Sequence, residues 1–122
     1  MLEYFVLLLI MFQIKHWYID FVNQDMDEVH SKGNYGEWLG IRHSLKQGIG
    51  TYICVALLVG ADYWLFALVL SSIDYFIHYH VDWMKMNWGN RDIQTPQFWA
   101  HLGLDQMAHQ LTYILLAYLV VA

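Results

Sequence analysis

Proline occurs once in this chain, at Pro96, and cysteine once, at Cys54. A single cysteine excludes an intramolecular disulfide and a thiolate-built metal site. Cys54, inside the apolar run TYICVALLVG, therefore reads as a small core residue. A single proline leaves long stretches with little to break a helix. Charge is scarce as well: Asp, Glu, Lys and Arg make up 14% of the 122 residues, where soluble domains average about 25%. Six basic side chains stand against eleven acidic ones, for a net charge of −5. No basic stripe exists, which argues against nucleic acid as a partner. Internal repeats and low-complexity segments are also absent.

Apolar residues fill the space: 58% of the chain is hydrophobic and 17% aromatic. This predicts an all-α, polytopic membrane protein, one domain of four transmembrane helices in an antiparallel bundle. The expected helices cover about residues 1–22, 43–60, 63–86 and 97–122, with a polar loop at 23–42. Each is about long enough to cross a hydrocarbon core of roughly 30 Å at about 1.5 Å per residue. In lipid each must satisfy its own backbone hydrogen bonds as a helix. The opening MLEYFVLLLIMF has no basic lead-in and no small-residue cleavage site, so it reads as a retained helix rather than a secretory signal. Gly60-Ala61-Asp62 reads as a tight turn, and Pro96 as a helix start. All six basic residues fall in or beside the first and third loops. That bias places those loops in the cytoplasm and both termini outside it.

Polar residues inside these helices follow a rule. His16, Asp20 and Gln24 repeat every four residues, as do Asp74, His78 and Asp82, and His101, Asp105 and His109. Residues four apart share a helix face. Counted from the outer helix ends, His16, Asp20, His43, His78, Asp82, Asp105 and His109 lie between about 20 and 31 Å deep. Four helices thus deliver imidazoles and carboxylates to one layer. An unpaired charge at bilayer depth costs at least about 2.5–3.5 kcal/mol, so these groups must neutralise one another or share a cation. A His/Asp set without thiolate suits Zn²⁺, Mn²⁺ or Fe²⁺. Seven candidates fit two divalent ions, or one with outer partners. The bland alternative is a hydrogen-bonded polar core that glues helices together. His80 points away from the His78 face, His101 lies at the membrane edge, His30 sits in an acidic loop, and Asp74 extends its stripe without a clear role.

The ordered segments HWYIDFVNQ, a lone His43, HYHVDWMK and LDQMAH resemble an uncharacterised family of small bacterial and phage integral membrane proteins. The shared pattern falls on His16, Asp20, Phe21, Gln24, Lys32, His43, His78, Asp82, Lys85, Asp105, Gln106 and His109. That family has no established activity and is distantly similar to proteins classed as metal-dependent inner-membrane hydrolases. The resemblance implies a metal-assisted reaction on a membrane substrate. This chain departs from the family in its first loop, where Asp25, Asp27 and Glu28 replace an expected apolar-aromatic segment.

The expected function is therefore a hydrolase using one or two divalent ions on a lipid or lipid-linked substrate. His16, Asp20, His43, His78, Asp82, Asp105 and His109 are the candidate ligands. Asp20, Asp82 and Lys85 are the candidate catalytic groups, and Gln24, Gln106 and Lys32 are candidates to hold substrate. Two other classes remain open: a membrane redox protein of non-haem di-iron or haem type, and a non-enzymatic metal-, proton- or protein-binding membrane component.

Overall fold

The computed structural model describes residues 1–122, and the chain is helical almost throughout. Helix α1 covers Leu2–Trp17 and runs on through a widened π-helical turn at Tyr18–Val22. A short α2 covers Met26–Ser31, α3 covers Trp38–Val59, α4 covers Trp64–Trp88 and α5 covers Pro96–Val121. The four long helices form a bundle in which α1, α3, α4 and α5 each pack against two neighbours in that cyclic order. A turn at Gly60, whose φ of 89° favours glycine, folds α3 back on α4. Pro96 occupies the first turn of α5, and Thr95 caps it by accepting from the Phe98 amide at 3.3 Å.

The all-helical expectation holds, but four membrane-spanning helices do not. Only one segment, Leu2–Val22, is long and apolar enough to cross a membrane. The reason lies in what counts as apolar. Helices α3, α4 and α5 have 22, 25 and 26 residues, but tyrosine, tryptophan and the inward polar residues dilute them. Aromatics that swell a hydrophobic tally are amphipathic and contribute little to transfer into lipid. The outward faces are nonetheless apolar, with Leu57, Phe76 and Leu111 all more than half exposed.

Segment 23–42 is also more than a loop. Asp25 accepts a hydrogen bond from the Glu28 amide at 2.8 Å and so caps α2. Helix α3 then begins at Trp38, which puts His43 in its second turn rather than at its start. Gly40 makes room for this packing: its amide donates to Ser31 Oγ at 3.0 Å, and a Cβ there would meet the Ser31 carbonyl oxygen at 3.2 Å.

The interior is layered along the bundle. At one end Leu8, Phe12, Cys54, Val55, Ala67, Leu70, Tyr113, Leu116 and Ala117 form a closed apolar cluster. Cys54 is a free thiol within it, and burial pushes its pKa up. Next comes a polar tier built on Lys15. Its ammonium donates to Gln47 Oε1 at 2.8 Å, Asp74 Oδ2 at 3.1 Å and Tyr113 Oη at 3.1 Å. Thr51 Oγ1 adds a 2.5 Å bond to the same Asp74 oxygen. The Lys15 stem lies across Gly50, where a Cβ would sit 2.5 Å from Lys15 Cγ. Lys15 thus faces inward instead of reaching for the membrane surface, and Asp74 is its counter-ion.

Removing one member of a buried ion pair costs about 3–5 kcal/mol, because the other charge is stranded. Asp74→Ala should therefore destabilise the folded protein by about that amount, read by denaturant unfolding followed by circular dichroism. Lys15→Met combined with Asp74→Ala should recover much of the loss. A double variant no more stable than Asp74→Ala would show that the pair is not coupled.

Candidate metal centre

The tier beyond Lys15 holds every candidate ligand. Helix α1 supplies His16 and its π-helical turn supplies Asp20. Helix α3 supplies His43, α4 supplies His78 and Asp82, and α5 supplies Asp105 and His109. All seven are buried, with at most 6% of any one exposed. Three i,i+4 pairs form within single helices: His16–Asp20 at 3.4 Å, His78–Asp82 at 3.1 Å and Asp105–His109 at 3.4 Å.

Two groups within this tier are placed to hold a metal ion: Asp20, His43 and His78, and then His78, Asp82 and His109. In the first, His43 Nε2 lies 2.9 Å from Asp20 Oδ1 and 3.2 Å from His78 Nε2, and His78 Nε2 lies 3.5 Å from Asp20 Oδ1. Donors about 2.0–2.2 Å from a common ion stand roughly 2.9–3.5 Å apart, so this triangle has the size of one face of a coordination shell. Asp82 divides its carboxylate. Its Oδ2 faces His78 at 3.1 Å and His43 at 3.6 Å, and its Oδ1 faces His109 at 3.2 Å. The His78 and His109 rings stack at 3.9 Å, 17° from parallel.

The tautomer of His43 decides what the triangle needs. Its Nδ1 lies 2.7 Å from Glu28 Oε1. A carboxylate only accepts, so Nδ1 carries the proton and donates it. In neutral His43, Nε2 then presents a lone pair to Asp20 Oδ1. Burial pushes the His43 imidazole below its ordinary pKa, outweighs the opposing pull of Asp20 and so favours that neutral form. Acceptor then faces acceptor at 2.9 Å, an arrangement that fits a cation between them. Two further buried acceptors, Asp82 Oδ2 and Asp105 Oδ1, make no aligned hydrogen bond. His109 responds to the same negative surroundings. Burial alone would lower it, but Asp105 and Asp82 outweigh burial and push it up to about 10.

Glu28, absent from the sequence-based candidates, is an outer partner of this site. Only 1% exposed, it also accepts from Arg42 at 2.8 Å and Lys46 at 2.9 Å. Burial works to raise its carboxyl, but Lys46, Arg42 and His43 outweigh it and hold the pKa below its ordinary value. The signal was present as Asp25-x-x-Glu28, the spacing of a helix-capping pair.

The remaining candidates fall into place around the tier. His16 has both ring nitrogens engaged, Nδ1 with Tyr113 Oη at 2.9 Å and Nε2 with Gln106 Oε1 at 2.7 Å. It flanks the triads without belonging to either. Gln106 also donates to Asp105 Oδ2 at 3.0 Å. Lys32 lies buried 3.2 Å from Asp82 Oδ2, and Lys85 lies 3.1 Å from Asp105 Oδ2. Gln24 donates to the Asp20 carbonyl at 2.7 Å, while its Oε1 is buried without a partner. His80 pairs with Tyr35 away from the tier, and His101 accepts from the Asn90 amide at 2.7 Å.

A carboxylate behind a ligand histidine fixes its tautomer, and losing one typically costs about 10–100-fold in metal affinity. Glu28→Gln should weaken Zn²⁺ or Mn²⁺ binding by about that factor, measured by competition with a chelating dye. An unchanged affinity would remove Glu28 from the site.

Compared with known proteins, the chain matches no family model, no curated protein and no solved structure, so its resemblance to the small membrane-protein family rests on the quoted residues alone.

Proposed function

We propose that the protein is a metal-dependent hydrolase, attached to a membrane through Leu2–Val22 and acting on a lipid or lipid-linked ester. The observation that carries this reading is the buried Asp20–His43–His78 triangle, in which the His43 imidazole faces a carboxylate oxygen at 2.9 Å. Asp20, His43 and His78 would hold one divalent ion, with Asp82 Oδ2 beside them. A Zn²⁺ or Mn²⁺ ion there supplies a Lewis acid and a bound water of lowered pKa.

The chain's own residues do the rest. Glu28 keeps the His43 lone pair aimed inward. Asp82 links the triangle to the His109–Asp105 pair through its second oxygen. His109, protonated between Asp82 and Asp105, holds a proton where a leaving oxygen would need it. Asp105 Oδ1, buried and without an aligned donor, is the acceptor that takes a proton back. This moves the acid–base role from Asp20 and Asp82, which stand at the ion, to α5. The apolar outer faces of the helices suit a protein working at a lipid surface.

Elemental analysis of detergent-purified protein after metal-replete growth should give about one ion per chain, the stoichiometry of a site with one open position. His43→Ala should lose the ion. His109→Ala should keep it and lose most phosphoester hydrolysis, assayed with p-nitrophenyl phosphate esters, by about 10²–10⁴-fold. Less than about half an ion per wild-type chain would sink the hydrolase reading. Bound iron with oxygen uptake would assign the site to redox chemistry instead.

A further inference from the structure

Two cavities meet beside the metal tier, and their linings differ in kind. The first is a vestibule of about 380 Å³ where α2, the α4–α5 connection and the start of α5 come together. Lys32, Lys85 and Arg91 line it, with His30, His101 and Gln24. The chain has only six basic side chains and eleven acidic ones. Three of the six line this one vestibule and none of the eleven does. Random placement on an acidic protein would not give that segregation. Lys32 and Lys85 are fixed there by Asp82 and Asp105, while Arg91 has no carboxylate within ion-pair distance. The unpartnered Gln24 Oε1 supplies an acceptor at the same wall.

The second cavity is a slot of about 310 Å³ between α4 and α5. Val81, Met84, Trp88, Leu104 and Ala108 give it an apolar wall. Lys85 and His101 line both cavities and form the join between them. Asp105 closes the slot on the metal side. Small-molecule sites span about 300–1,000 Å³, so the slot has the capacity of one alkyl chain rather than two.

We propose that vestibule and slot together seat a single-chain anionic amphiphile. Its phosphate monoester head lies against Lys32, Lys85 and Arg91, and its alkyl chain lies between α4 and α5. Arginine and lysine are the side chains that recognise phosphate oxygens, and the chain's methylenes gain by leaving water. The head then lies one side chain from the metal tier, because Lys32 and Lys85 contact Asp82 and Asp105 directly. That such a ligand is also a substrate rests on the hydrolase reading; the seat itself rests on the two cavities.

The test uses the full chain in non-ionic detergent, titrated calorimetrically with inorganic phosphate and with octyl phosphate. Wild type should bind octyl phosphate at least about tenfold more tightly, since two buried methylenes already supply that factor. Leu104→Trp should fill the slot and bring octyl phosphate down to the affinity of inorganic phosphate. Leu104 is 59% exposed, so this change spares the core, and it leaves partition of the ligand into micelles untouched. Arg91→Gln should weaken both ligands alike. Equal binding of the two phosphates by wild type would overturn the proposal, as would an octyl preference that survives Leu104→Trp. Metal content on the same samples reports on the hydrolase separately: a metal-free protein that keeps the slot-dependent preference retains the seat and loses the catalytic reading.

Discussion

A carboxylate removed from water is costly unless a positive group faces it, and this small bundle buries five: Asp20, Glu28, Asp74, Asp82 and Asp105. Four have an obvious answer. Asp74 has Lys15, Asp82 has Lys32, Asp105 has Lys85, and Glu28 has both Arg42 and Lys46. Five of the six basic side chains are spent this way. Asp20 alone has no lysine or arginine, only imidazoles and the Gln47 amide at 2.8 Å. The one buried carboxylate without a lysine or arginine is also the place where His43 and His78 converge. The cation proposed at Asp20 would complete a pattern that the rest of the interior already follows.

Much of this was legible in spacing. Three His/Asp pairs four residues apart announce shared helix faces, and the scarcity of proline announces long helices. Other parts depend on contacts between segments far apart in sequence. Nothing near Lys15 says that it turns inward, because its partners Gln47, Asp74 and Tyr113 lie on three other helices. Asp74 reads as one more member of the Asp74–His78–Asp82 stripe for the same reason. Glu28 escaped notice because an acidic segment reads as a solvated loop until it folds back over the end of α3. The membrane reading of the later helices failed through composition: polar residues that build the interior also lower the apolar content of the helices carrying them.

The short helix α2 thereby changes meaning. As a loop it had no structural task. As a capped helix it roofs the metal tier and brings in Glu28 from one side and Lys32 from the other. Glu28 sets the tautomer of His43, and Lys32 neutralises Asp82. Both act on the candidate ligands from outside, so the geometry of the site is held by a segment that supplies none of those candidates.

Lys32 and Lys85 stand at the boundary between two demands. Toward the interior they cancel the charges of Asp82 and Asp105. Toward the vestibule they and Arg91 gather three of the six basic side chains with no carboxylate among the lining residues. Three carboxylates of the tier, Asp20, Asp82 and Asp105, face two lysines and the protonated His109; a divalent ion at Asp20 would then turn the tier positive. With the ion in place, the vestibule, Lys85 and the tier carry the same sign, and the lysines are released from part of their duty to the carboxylates. An anionic head group then meets attraction along its whole approach, and the apolar wall of the slot beside it decides which anions gain by staying.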